Sequence, residues 1–515
     1  MIEIWKNPEF VRHFRANLRK TRAITVAATV IAICILIWLG CWGAQQSELA
    51  AMRRGAGEFQ WSPERLAQME QHSGVEVWLM FYRFLMYAQL GVLTFWSLLS
   101  CAQSISGERE RKTWDFQRAT RLGTGELLVG KLFGEPVLAY FIVLCCLPLT
   151  VVAGWLGGTT WQNVACGYAL VLAGALFIGL TGLWLSNLFE TRSRGTGLIG
   201  TFGLYLLFGL ATALRETSNF PGIAGLSPLT GMLSLLQEDG RYREGATIFG
   251  AHVPWLLMSL LLYGTFGAWL VLVLLRTLKK DYDQMKTLSR REVLGCAAFL
   301  NFTMYALFLP RPWYRMDAIG FTKFMVGMSG LVLFGMGLAM LTPIERLKVW
   351  WRTRNGALAD DGLAWPWLAM SVVVGYGTLV CGMFAWRHHV GFEREALMTG
   401  LLLYVVIGVY LTRDILFLQW CRLTRLRAPV LKGLLYVGLY YVAATVLVTS
   451  LNVSSEARGR AVYALMTPVG AFYAGSANGD AYQSHLLVQI VVGLAIQFAV
   501  IWALLSGIKS RLNSQ

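Results

Sequence analysis

Gly125-Glu126-Leu127-Leu128-Val129-Gly130-Lys131 carries the glycines and the lysine of a phosphate-binding loop, whose backbone N–H groups cradle phosphate and whose Ser or Thr binds magnesium. Leu132 stands where that hydroxyl must be, no strand precedes the motif, and Glu-Leu-Leu-Val favours helix. Nucleotide chemistry is therefore not expected in this chain. Two charged side chains fall on or beside apolar runs and are candidates for a substrate path. Arg83, about two turns inside one run, could meet an anionic substrate or snorkel to the surface. Glu135 follows Lys131 by four residues, a spacing that favours an intrahelical pair. The cysteines show no CxxC and no metal spacing, and the histidines are scattered apart from His388-His389 in a short outer loop. No catalytic set, metal site or cofactor site follows from spacing.

The elements that position these residues are set by composition. A chain of 515 residues with 56% hydrophobic and only 14% charged residues is too apolar for a soluble protein and reads as polytopic in a membrane. The net charge of +16 would suit a nucleic-acid partner only if the bases shared one soluble face. They gather between apolar runs instead, which is a topology signal and argues against nucleic acid.

Asn7-Pro8-Glu9 offers an N-cap, a proline at the first helical position and an acid in the first turn. Phe10, Phe14 and Leu18 then recur against Arg12, Arg15 and Arg19, which predicts an amphipathic interfacial helix within residues 1–22. Runs near the roughly 20 residues a spanning helix needs follow at 24–42, 77–101, 132–156, 164–188, 197–214 and 253–275. Six more follow at 293–309, 321–341, 364–386, 397–412, 433–450 and 485–506. The fold expected is all-α, with about 12 transmembrane helices and a polar outer stretch over 43–76. With both termini in the cytoplasm, 31 of the 45 Lys and Arg fall on the inner side, as the positive-inside rule requires.

The chain also looks duplicated. Glu108-Arg109-Glu110-Arg111-Lys112-Thr113-Trp114 after the second run is echoed by Glu345-Arg346-Leu347-Lys348-Val349-Trp350 after the eighth. Leu226-Ser227-Pro228 is likewise echoed by Met466-Thr467-Pro468, and both echoes give a period of about 236 to 240 residues. This predicts two parallel six-span halves, 23–280 and 281–515.

The first charged block suits a mechanical role. Alternating acids and bases beside Trp114 and Phe116 would give a soluble partner both polar complementarity and aromatic anchors. At these residues the chain resembles the permease subunits of the second type of ABC exporter. In that family the second span runs into an acid-base-acid-x-Gly-Thr stretch, and the next span is entered through Glu-Leu-x-x-Gly-Lys. Glu108 to Thr113 and Glu126 to Lys131 follow that pattern, with Lys112 at the usual glycine and Arg121 where a proline is common. The resemblance covers residues 1–280 and is faint beyond. It implies a permease whose cytoplasmic segments, Glu108 to Trp114 with Phe116 and, more weakly, Glu345, Arg346, Lys348 and Trp350, dock separate ATPase subunits. Two such subunits per chain would hold the ATP and magnesium.

The expected protein is thus a multi-pass permease of the cytoplasmic membrane, without an ATPase motif of its own, exporting an amphipathic small molecule or lipid. A carrier driven by an ion gradient would want acids or histidines deep in several spans. A membrane enzyme acting on lipid-linked substrates would want a cluster at one face, where only Glu393, Glu395 and the His388-His389 pair offer themselves.

Overall fold

In a bilayer every backbone N–H and C=O must be paired within its own segment or sheet, so long apolar runs become helices. The computed structural model describes residues 4–55, 63–119, 121–188, 221–236, 246–248, 251–279, 289–308, 317–353, 359–385, 394–424, 429–452, 465–468, 472 and 480–513. Among these are sixteen α-helices and one hairpin of two three-residue strands, Ala246–Ile248 and Ala251–Val253. The protein is a polytopic all-α membrane protein. Nine of the helices are long and apolar enough to cross a bilayer. The expected span 197–214, together with His388, His389 and Glu393, lies outside the described residues.

The chain divides into two compact units, Met1–Thr287 and Leu288–Gln515. In the first, α1 (Pro8–Asn17) is followed by α2 (Lys20–Gly55), α3 (Pro63–Glu110), α4 (Trp114–Ala119), α5 (Thr124–Gly134), α6 (Val137–Leu156) and α7 (Trp161–Leu188). A 3-10 turn at Pro221–Leu226 leads into α8 (Pro228–Leu236), and α9 (Trp255–Thr277) closes the unit. The polar stretch 43–76 differs from expectation: α2 remains helical through Gly55, and α3 starts at Pro63. With its 48 residues, α3 is about 72 Å long at 1.5 Å per residue, more than twice the roughly 30 Å of bilayer hydrocarbon. It packs along α7 and α6, and one close approach depends on Gly182. A Cβ there would lie 2.9 Å from the Leu98 carbonyl oxygen and 3.1 Å from the Ala102 nitrogen. Leu85, Met86, Leu93, Leu170 and Ala175 fill the core between these helices.

The second unit contains α10 (Arg290–Leu307), α11 (Ala318–Ala339), α12 (Ile344–Thr353), α13 (Trp365–Ala385), α14 (Arg394–Arg422), α15 (Pro429–Asn452) and α16 (Asp480–Asn513). Ser289 and Glu292 form a reciprocal capping box on α10, and Asp317 caps α11 through the Gly320 N–H. Two further expected spans fall on α10, whose first turn is occupied by Arg290, Arg291 and Glu292, and on α15, a helix of 24 residues. The largest departure is α14, which was expected to span 397–412 and to leave Arg413 on the inner surface. Its helix runs unbroken to Arg422 with Arg413 and Asp414 buried inside it.

Candidate functional site

The end of α3 carries the charged block, and its geometry begins with how the helix stops. The Thr113 N–H donates to the Glu108 carbonyl (2.9 Å) and the Lys112 N–H to that of Arg109 (3.0 Å). This is the paired bond pattern of a Schellman cap, whose C′ residue takes a left-handed conformation. Lys112 has φ +58°, in the place where the resemblance expects glycine.

Just before the cap, Glu108 turns inward. Its carboxylate accepts from Lys131 Nζ at 2.7 Å, Arg12 at 2.8 Å and Gln117 Nε2 at 2.8 Å. Lys131 is fully buried, and its ammonium also donates to Ser104 Oγ (3.1 Å) and lies 3.5 Å from Glu9 and 4.0 Å from Glu135. The expected Lys131–Glu135 pair therefore exists as the longest of these contacts. His13 bridges the two remaining acids, 3.3 Å from Glu9 and 3.7 Å from Glu135. Trp114 closes the cluster from below, buried with Lys131 5.5 Å from its ring centre and the Arg109 guanidinium 5.8 Å away.

The cluster depends on α1 lying directly on α5. Asn7 caps α1 by accepting from the Glu9 and Phe10 N–H groups, while its Nδ2 donates to the Glu126 carbonyl at 2.6 Å. Gly130 and Gly134, one turn apart, make room for the approach. A Cβ on Gly130 would sit 2.7 Å from Glu9 Cβ, and one on Gly134 would sit 3.2 Å from His13. Gly130 and Lys131 of the phosphate-loop lookalike thus belong to the face on which α1 docks. Thr124–Gly134 is helical throughout, so from Leu127 onward its backbone N–H groups are spent in helical hydrogen bonds.

Two members of the cluster, Glu9 and Arg12, are held in their charged forms. Burial works against ionisation of Glu9, but the His13 hydrogen bond and the charges of Lys131 and Arg12 outweigh it and keep its carboxyl below the ordinary value. For Arg12, partial burial opposes the cation, and the Glu108 hydrogen bond with the Glu9 charge outweighs it, raising its pKa.

Each expected docking residue can now be placed. Glu108 and Trp114 are buried, which corrects the expectation that the acids and the aromatic pair share one outward face: a buried cation, Lys131, draws both inward. Arg109 is half-buried and donates to the backbone carbonyl and the Oδ1 of Asn187. Glu110, Arg111, Lys112, Thr113, Asp115 and Phe116 are exposed, Phe116 at 79%. In α12, Glu345 is exposed while Arg346, Lys348 and Trp350 are half-buried. Arg83 is half-buried in α3, and its Nε is buried without a hydrogen-bond partner.

A second buried polar group, not anticipated from spacing, lies in α14. Asp414 accepts from Arg413 and, through its other oxygen, from Tyr441 OH at 2.7 Å; Arg413 donates to Gln497 at 2.9 Å and packs against Tyr410, Tyr440 and Tyr441. Tyr410 and Tyr440 in turn donate to the carbonyls of Leu465 and Met466, tying the segment before Pro468 to α14 and α15. Among the described residues no group of three or more His, Cys, Asp or Glu could hold a metal ion.

Residues 9–238 match the family model for the ABC-2 type transporter. No curated protein and no solved structure matches the chain.

Proposed function

We propose, from the match of residues 9–238 to the family model for the ABC-2 type transporter, that the chain is the membrane part of an exporter whose ATP is hydrolysed by separate subunits. The ATPase would dock on the outward face left by the cap of α3 and by α4: Glu110, Arg111, Lys112, Asp115 and Phe116. The observation that carries this reading is the arrangement behind that face. An exposed aromatic and mixed charges sit within a few residues of Glu108, whose carboxylate is tied to α1 through Arg12, to α4 through Gln117 and to α5 through Lys131. A push on α4 therefore reaches α3 and α5 as one body. Arg109 extends the same connection through Asn187 to Thr277 at the end of α9.

In this proposal the two units are fused permease halves in the cytoplasmic membrane, with both termini cytoplasmic. Two ATPase subunits supply the ATP and magnesium, the halves rock to open a path alternately to each side, and the chain itself does no chemistry. The short outer segments favour an amphipathic small molecule or lipid that leaves from the membrane, with Arg83 at the outer part of the path. The rival reading, a carrier driven by an ion gradient, would use Asp414. Its oxygens are committed to Arg413 and Tyr441, which suits a structural tie better than a proton site.

The test is co-purification with the ATPase, comparing wild type with Phe116→Ala/Asp115→Ala. Loss of the partner and of ATP turnover in a chain that remains folded is expected. Unchanged assembly and turnover would remove the docking assignment.

A further inference from the structure

The second charged segment has a different setting from the first. Leu347 of α12 is fully buried in one cluster with Leu416 and Leu423 at the end of α14 and Ile508 and Leu512 at the end of α16. So α12 packs through Leu347 near the ends of two spanning helices, where hydrocarbon would give way to headgroups. Tryptophans crowd that level. Trp350 and Trp351 pack on each other at 6.0 Å, Trp420 carries the Arg511 guanidinium 4.6 Å above its ring, and Trp365 opens α13 at 40% exposed. Such a belt marks a membrane–water interface.

The outward face of α12 is that of a surface-seeking helix. Glu345, Lys348, Val349 and Arg352 fall on it at three- and four-residue spacing, with Val349 61% exposed between the two bases. Across α12, Arg346, Lys348 and Arg352 stand against the single acid Glu345, and Lys509 lies exposed in the last turns of α16. The supports that brace the first segment are replaced. At the offset that aligns Glu108 with Glu345, the buried Lys131 becomes the buried Leu368, and Glu345 is exposed. A buried cation near α12 is Arg290, which donates to Thr342 Oγ1 and to the carbonyls of Gly362 and Leu363 and so pins both loops flanking α12.

We infer that α12 is an interfacial helix that binds anionic lipid headgroups of the inner leaflet through Lys348 and Arg352. The inference rests on the chain spanning a membrane and not on the identity of any ATPase, so the two can fail separately.

The test uses the full chain in detergent with an environment-sensitive dye on Val349→Cys. It is made on a Cys381→Ser background, because Cys381 is the exposed cysteine among those described. Titration with phosphatidylglycerol should shift the emission to the blue, and phosphatidylcholine should not. Lys348→Gln/Arg352→Gln should weaken the response about fivefold per base removed, the factor equivalent to the ~1 kcal/mol a base is worth at an anionic surface. Lys348→Arg/Arg352→Lys should retain it. Equal responses to both lipids, or an undiminished response in the neutralised variant, would overturn the inference. So would loss of a co-purifying ATPase with the lipid response intact, which would assign the helix to that partner.

Discussion

Replacing Lys131 by Met keeps the length and apolar stem of the side chain and removes the one fully buried ammonium of the coupling end. Glu108, 2.7 Å away, and Glu9, 3.5 Å away, would remain in a site where their side chains are 12% and 6% exposed. Breaking a buried pair by deleting one partner costs about 3–5 kcal/mol, because the surviving charge is left uncompensated. Arg12 still reaches both acids, but its side chain is 49% exposed and its charge is screened by water. The expected loss is therefore ~3 kcal/mol, at the low end of that range. Lys131→Met/Glu108→Gln removes cation and acid together and should lose only ~1 kcal/mol, about 2 kcal/mol less than Lys131→Met alone. Thermal unfolding of the purified chain, followed by tryptophan fluorescence, should then place the single variant roughly 3–5 °C below wild type and the double variant between them. A single variant within about a degree of wild type, or a double variant equal to the sum of its parts, would refute the reasoning.

Gly130→Val would put branched carbons into the space held by Glu9 Cβ and Asn7 Oδ1; α1 should detach and become susceptible to protease while the spans remain intact. Lys112→Gly should stabilise the cap of α3 by ~1 kcal/mol, since a left-handed conformation costs an L side chain about 1–2 kcal/mol, and Lys112→Val should lower the melting temperature. Glu9 has a folded pKa below its ordinary 4.5, so the stability it contributes is present above about pH 4.5 and is lost as pH falls through the lower folded value. Wild type should shed α1 on acidification through that window, and Glu9→Gln should be weaker throughout with a flatter pH profile. Tyr441→Phe should cost ~1–2 kcal/mol by leaving one buried oxygen of Asp414 unpaired, measured as a lower melting temperature of the chain.

What could be read in the sequence follows from how far apart the interacting residues lie. Asn7-Pro8-Glu9 predicts the start of α1 because capping is local, and apolar runs predict helices because the bilayer demands them. The alternating block at Glu108 also marks the charged end of α3. Its inward turn was hidden because Lys131 is 23 residues on and Arg12 is 96 residues back, so no local pattern distinguishes the buried Glu108 from the exposed Glu110. Glu9 shows the same limit: a first-turn acid suits the helix dipole, and only α5 reveals that it serves a buried lysine. The extent of α14 was hidden for a different reason. Arg413-Asp414 interrupts the hydropathy as a loop would, while Tyr441 and Gln497 satisfy the pair from two later helices. A basic residue and an acid side by side within an otherwise apolar run was the available signal.

The central claim is that an ATPase subunit sits on the face marked by Phe116 and moves the spans through Glu108 and Lys131. A photo-reactive benzophenone residue placed at position 116, in cells that make the whole transporter, tests it most directly. The account expects a covalent adduct to a nucleotide-binding ATPase subunit from position 116 and none from the same probe at position 349. An ATPase that co-purifies with the chain yet forms its adduct at position 349 and not at 116 would contradict it.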